Sequence, residues 1–259
     1  MNTELITIMT NILITGANGF IGVNLIKTLE LYKEFNILKI TRDSSLIELE
    51  KLIIKSDFIF HLAGEVRPNS SADDFKESNV NLTQNIISLL EKNNKIIPIL
   101  LTSTIHAKLL KNEYGKTKRK SELLIENYSK NNKVNCVIYR LPHVFGEGCK
   151  ANYNSVISTW IYNSVNDLEI NVFDRSIAMQ YVYVQDIVKE FINFMNNNIE
   201  ELYIDPNLVY NTTLGEIIDY LVEFKKNINT DDYNIGDNEF KNKLYITYKD
   251  YNNKKLENK

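Results

Sequence analysis

Tyr114 and Lys118 stand four residues apart in the run Tyr114-Gly115-Lys116-Thr117-Lys118. On a helix that spacing puts both side chains on one face, one turn apart. An ammonium beside a phenol favours the phenolate and lowers its pKa, which suits a tyrosine for proton transfer near neutral pH. Ahead of the pair lies a hydroxyl cluster, Thr102-Ser103-Thr104, of the kind that can hold a carbonyl oxygen. A third set of residues handles phosphate. Gly16, Gly19 and Gly22 are spaced G-x-x-G-x-x-G directly after the apolar run Ile12-Leu13-Ile14. Gly16 permits a tight turn, Gly19 lets a pyrophosphate approach the backbone, and Gly22 lets the following helix pack on the strand. The amides and positive dipole end of that helix then face the phosphate. In this strand-turn-helix context the glycines read as a dinucleotide site.

These residues need a scaffold of alternating strands and helices. The pattern predicts strands at 12–14, 36–41, 57–61, 96–102 and 136–140. Helices are expected at 23–29, 46–54, 80–92 and 114–131. That alternation specifies an α/β fold of the Rossmann type, a doubly wound parallel sheet with ligand at the carboxyl ends of its strands. From Gly146 the pattern loosens. Residues 167–173 and 181–184 read as strands, 187–196 and 214–224 as helices, and the charged, asparagine-rich 249–259 as a disordered tail. The expected division is 1–145 with 177–205 as the dinucleotide-binding domain, and 146–176 with 206–259 as a small substrate lobe.

Composition narrows the function classes. Hydrophobic residues make 44% of the chain and charged ones 24%, ordinary for an enzyme with a real core. A net charge of -3 argues against a nucleic-acid or anionic-membrane partner. No apolar run is long enough to span a bilayer, and the segment before Met9 has no basic region, so it does not read as a secretory signal and is expected to be frayed. Two cysteines, Cys136 and Cys149, lack metal-ligand spacing and read as free thiols in the cytoplasm; no metal site is expected.

The segments TGANGFIG (15–22), DFIFHLAG (57–64), the hydroxyl cluster and YGKTK together resemble the extended short-chain dehydrogenase/reductases. The resemblance implies a Rossmann domain, a small C-terminal substrate domain and activity on a nucleotide sugar. It makes Tyr114 the acid/base, Lys118 the group on the nicotinamide ribose, and Thr104 the hydroxyl on the substrate carbonyl, with Ser103 as the neighbouring candidate. Cofactor contacts are implied at Gly16, Asn18, Gly19, Phe20, Ile21, Gly22, Leu62, Ala63, Gly64, Asn79, Thr102, Ser103 and Leu141. His61 corresponds to a positioning histidine behind the cofactor. Substrate contacts are implied at Arg140, His143, Tyr153 and Arg175; His143 stands where the family usually carries asparagine. The family's dehydratases place Asp-Glu after the threonine, whereas this chain has Ile105-His106, which argues against dehydration. A 4-epimerase with tightly held NAD and a non-catalytic NAD(P)-binding regulator remain as alternatives.

Cofactor choice is read at the end of the second strand. An acidic residue there would bond the 2′-hydroxyl of NAD. This chain has Arg42, whose guanidinium can pair with the 2′-phosphate of NADP, followed by Asp43. NADP(H) is therefore expected, with NAD(H) as the alternative.

A closer resemblance runs through RLPHVFGEGCKANYNSVISTW, TTLGEIIDYL and KNKLYITYKDY. These segments are similar to the reductase portion of the bifunctional capsular-polysaccharide enzymes on the route to UDP-N-acetyl-L-fucosamine. That implies reduction of the 4-keto group of a UDP-2-acetamido-2,6-dideoxy-L-hexos-4-ulose. In those enzymes a cupin domain follows and epimerises carbon 3; here the resemblance leaves three alternatives, a separate cupin epimerase as partner, reduction of the unepimerised ketone, or a truncated product, and a homodimer is the expected assembly.

Overall fold

The computed structural model describes residues 9–197, 199–230 and 233–257. The expectation for the segment before Met9 falls on 1–8, outside the described residues. The chain runs β1 (Thr10–Thr15), α1 (Phe20–Leu29), β2 (Phe35–Ile40), α2 (Leu46–Lys55), β3 (Phe58–His61) and α3 (Ala72–Phe75). A π-helical turn, Lys76–Asn81, then leads into α4 (Leu82–Lys92), β4 (Ile99–Thr104), α5 (His106–Leu109), α6 (Glu113–Asn132) and β5 (Val137–Leu141). The rest comprises β6 (His143–Phe145), α7 (Val156–Val165), β7 (Ala178–Tyr183), α8 (Val184–Asn196), β8 (Tyr203–Ile204), β9 (Tyr210–Thr213), α9 (Leu214–Asn227) and α10 (Glu239–Glu257).

The chain divides into two compact units. One takes residues through Leu141 together with Val188–Asp205, and the other takes Pro142–Ile187 and the chain from Pro206. The first unit is a six-stranded parallel sheet in the order β2-β1-β3-β4-β5-β8, a Rossmann-like α/β fold. Its central strands are buried on both faces, as a sheet covered by helices requires; Ile12, Leu13 and Ile14 are fully buried. Helix caps follow from local sequence. Ser45 accepts from the Glu48 amide at 3.2 Å to start α2, and Asn112 accepts from the Gly115 amide at 2.8 Å to start α6. The strand order reverses between β1 and β3, which is where open α/β sheets bind ligand.

The second unit is built on the three-stranded sheet β6-β7-β9 and an aromatic core. Three expectations change here. Residues 143–145 and 178–183 pair with each other, so of 177–205, assigned to the dinucleotide-binding domain, only Val188–Asp205 falls in the first unit, with Tyr203–Ile204 in its sheet. Residues 167–173 are not a strand. Asp167 turns at φ 60°, and Ile170 and Val172 pack on the aromatic core without a partner strand. Residues 249–257 are not a tail but the end of α10, while 258 and 259 lie outside the described residues. Phe240, Leu244, Tyr245 and Tyr248 form its buried stripe, a helical period that the surrounding lysines and asparagines obscure in the sequence.

Candidate active site

The glycine loop leaves β1 at Thr15 and turns at Gly16, whose φ is 70°. A Cβ at Gly16 would come within 2.8 Å of the Ala63 backbone nitrogen, and one at Gly22 would overlap the Gly16 carbonyl oxygen. The loop is tied down on both sides: the Gly19 amide donates to the Gly16 carbonyl at 2.8 Å, and the Ala17 amide to the Ile40 carbonyl of β2 at 3.2 Å. Helix α1 starts at Phe20 with no side-chain cap on its first turn. This bare helix N-terminus over a close-packed glycine turn fits the pyrophosphate of a dinucleotide.

Behind the loop, His61 lies in a chain of hydrogen bonds whose direction is determined at both ends. The Thr83 hydroxyl donates to the Asn79 carbonyl at 2.7 Å, so it accepts from His61 Nε2 at 2.9 Å. Nδ1 therefore accepts, taking the Thr15 hydroxyl at 2.7 Å, and Thr15 Oγ1 accepts the Ala63 amide at 3.2 Å. Burial, helped by the Lys118 charge, holds the imidazole neutral by pushing its pKa down to about 3. His61 thus joins the end of β1 to α4 and has no proton to offer the site.

At the end of β4 the two candidate hydroxyls separate. The Thr104 hydroxyl lies close enough to the Tyr114 phenol to favour its ionisation, whereas Ser103 donates to Glu122 Oε1 at 2.6 Å. The segment between Thr104 and Tyr114 is a single turn, α5, followed by a reversal at Leu110 in the left-handed region. Gly115 lets α6 press on that turn, since a Cβ there would overlap the His106 carbonyl. Lys118 is buried one turn on and donates to the Thr102 carbonyl at 2.8 Å. The phenol is pushed up to about 12, against the expected lowering, because desolvation by burial outweighs the opposing effect of the Thr104 hydroxyl. A protonated phenol is the form a proton donor needs. Desolvation also brings Lys118 down to about 8.

Asn79 sits in the π-helical turn, an irregularity that recurs at functional sites. Its Oδ1 accepts the Glu65 amide at 3.0 Å and its Nδ2 donates to Thr117 Oγ1 at 3.1 Å, bracing the Gly64–Glu65 loop against α6. A Cβ at Gly64 would meet Asn79 Oδ1 at 2.7 Å and Lys118 Nζ at 3.0 Å. The structure thus brings Gly16, Ala63, Gly64, Asn79, Thr102, Thr104, Tyr114 and Lys118 together at the carboxyl ends of β1, β3 and β4. Leu141 closes β5 beside them, its carbonyl accepting the Ile105 amide at 3.2 Å.

Other expected contacts are placed differently. Arg140 is engaged by Glu122, with Nε donating to Oε1 at 2.9 Å and Nη2 to Oε2 at 2.7 Å, and its guanidinium lies 4.2 Å from the Tyr203 ring centre. That bidentate hold fixes its guanidinium against α6. Arg42 donates from Nη2 to Glu65 Oε2 at 3.0 Å. His143, Tyr153 and Arg175 belong to the second unit. The His143 ring packs 5.7 Å from that of Tyr181, Tyr153 is exposed before α7, and Arg175 bonds Asp219 at 2.7 Å and the Gly215 carbonyl at 3.2 Å. Glu65 and Glu122 were not singled out in the sequence, although both are buried acids next to expected site residues. The signal was an acid directly following the Gly64 turn, and one a helical turn beyond Lys118. Among the described residues no cluster of His, Cys, Asp or Glu could hold a metal ion, and no helix is long and apolar enough to cross a membrane.

With this geometry, residues 12–204 match the NAD dependent epimerase/dehydratase family. The chain belongs to that family. It is 36% identical over 217 residues to the UDP-2-acetamido-2,6-beta-L-arabino-hexul-4-ose reductase of Pseudomonas aeruginosa, a match spanning 83% of this chain and 57% of that protein. The crystal structure of the capsular polysaccharide assembling protein CapF from Staphylococcus aureus superposes with a TM-score of 0.83 at 38% identity, covering 93% of this chain and 66% of that one. The chain therefore spans less than two thirds of either relative. A UDP-N-acetylglucosamine 4-epimerase from Methanobrevibacter ruminantium shares the fold, with a TM-score of 0.81 at 18% identity over 95% of this chain and 99% of that one.

Proposed function

We propose that this family member is a nicotinamide-dependent reductase of a nucleotide sugar, acting on the 4-keto group of a UDP-2-acetamido-2,6-dideoxy-L-hexos-4-ulose with NADPH. The observation that carries the reading is the Thr104 hydroxyl beside the Tyr114 phenol, with the buried Lys118 one turn along the same helix and donating to the Thr102 carbonyl. The similarity to the Pseudomonas reductase supports the substrate class. A bound nicotinamide supplies the hydride. Thr104 holds the carbonyl oxygen, and Tyr114, protonated at neutral pH, donates the proton that the oxygen takes as its charge develops. Because that charge exists only as hydride arrives, hydroxyls aimed at the oxygen act chiefly in the transition state. Lys118 anchors the ribose side of the site, and Arg42 meets a 2′-phosphate at the end of β2. Nothing in the geometry favours dehydration, which needs an acid and a base where Ile105 and His106 stand.

The same reading carries a cytoplasmic homodimer supplied with its ketone by a carbon-3 epimerase. The test is incubation with NADPH and each carbon-3 epimer of the UDP-4-keto sugar, followed at the nicotinamide absorbance band. Oxidation with one epimer names the substrate. No oxidation with either, from protein that binds NADPH, refutes the reaction.

A further inference from the structure

Arg42 follows β2 by two residues and Glu65 follows β3 by four, and the sheet order places β1 between them. Their ion pair therefore spans the glycine loop that leaves β1. The partners are unequal. The Glu65 side chain is 1% exposed and the Arg42 side chain 65%. Glu65 is held without Arg42: Oε1 accepts the Val66 amide at 3.0 Å, the Arg67 amide at 2.9 Å and Arg67 Nε at 2.9 Å. Oε2 accepts Arg67 Nη2 at 2.7 Å and only then Arg42 Nη2, at the longer 3.0 Å. Arg42 is thus the movable member, and its departure leaves a carboxylate still paired and hydrogen-bonded.

We propose that Glu65 is a specificity-determining residue, competing with the 2′-phosphate of the cofactor for Arg42 and so holding down discrimination between the phosphorylated and unphosphorylated dinucleotide. The inference rests on the reading of Arg42 given above. A phosphate arriving at Arg42 must take the guanidinium from Glu65 and meets the carboxylate's charge as it does so. An unphosphorylated ribose leaves the pair intact. Neutralising Glu65 frees the guanidinium and removes the repulsion, and both changes favour the phosphate. Gln keeps the side-chain length and an oxygen for the two loop amides, so the turn after Gly64 retains its bonds.

The experiment is calorimetric titration with adenosine 2′,5′-bisphosphate and with 5′-AMP, which requires no turnover. The ratio of the two affinities reports discrimination, and 5′-AMP affinity reports an intact loop. Glu65→Gln should raise the ratio about five-fold or more through release of Arg42 and loss of one negative charge. Arg42→Ala should bring the ratio near one, and Glu65→Gln added to Arg42→Ala should change it far less than in the wild type. A ratio unchanged or lowered by Glu65→Gln, with Arg42→Ala still lowering it, overturns the role of Glu65 and leaves that of Arg42. A ratio unmoved by Arg42→Ala overturns the Arg42 reading itself. If Glu65→Gln loses 5′-AMP, Glu65→Asp carries the test: it withdraws the carboxylate by one methylene and should raise the ratio by a smaller factor, and no rise overturns the proposal.

Discussion

The two units bury different things. In the first, the interior at the strand ends is polar and charged: Thr15, His61, Glu65, Asn79, Thr83, Lys118 and Glu122 are all buried, each with named partners. In the second, the buried polar residues are the hydroxyl side chains Ser158, Ser164, Thr212 and Thr247. Rings fill the rest, with Phe145 5.3 Å from Phe240 and Phe224 4.9 Å from Tyr245. Buried charge is costly unless it is paired, so the first unit maintains a network in which each group has a defined place. The second is held by dispersion and apolar burial, which constrain volume more than identity. Positions that perform chemistry need the first arrangement.

That contrast can be broken first at Tyr114. Tyr114→Phe removes the proton donor and keeps the ring, so turnover should fall by about 10²–10⁴-fold while cofactor binding persists. Single-turnover kinetics alongside nucleotide titration check this, and near-normal turnover would exclude the assigned donor.

Glu122 comes next. It is fully buried and neutralises Arg140 while accepting from Ser103 and Arg119. Glu122→Ala leaves Arg140 without its partner and should destabilise the fold by about 3–5 kcal/mol, measured by urea unfolding. A loss below about 1 kcal/mol would mean that the network is not what holds β4, β5 and α6 together.

His61 predicts a pH dependence of known sign. Its folded pKa, about 3, lies below the unfolded value, so the unfolded chain binds the extra proton first. The stability this group contributes is complete above pH 6.5 and declines as pH falls toward 3, by about 1.4 kcal/mol per pH unit. His61→Gln, which titrates in neither state, should lessen that slope between pH 6 and 4. Parallel stability curves for the two proteins would show that His61 takes up its proton as readily folded as unfolded.

The smallest effect belongs to the aromatic unit. Among the described residues the buried Tyr181 hydroxyl has no hydrogen-bond partner. Tyr181→Phe should therefore be neutral or stabilising by up to about 1 kcal/mol, read from thermal unfolding. A clear loss would reveal a polar role within the rings.

Much of the first unit was determined by local sequence. The glycine spacing after Ile12-Leu13-Ile14 can serve only a tight strand-to-helix turn, and residues four apart must share a helix face, so the loop, Tyr114 and Lys118 were legible as a set. The alternation of apolar runs with helical periods was enough to specify the parallel sheet. Tertiary structure decided what depends on partners distant in the chain. It gave Thr104 rather than Ser103 to Tyr114, because Glu122, nineteen residues on, claims the serine. It gave Arg140 to the same glutamate and Arg42 to Glu65, 23 residues away, since a buried acid draws the nearest guanidinium whatever its sequence neighbourhood. It also made a helix of 249–257, where the lysine- and asparagine-rich composition reads as solvated. The stripe of Phe240, Leu244, Tyr245 and Tyr248 becomes a reason to fold only against the aromatic core contributed by other segments.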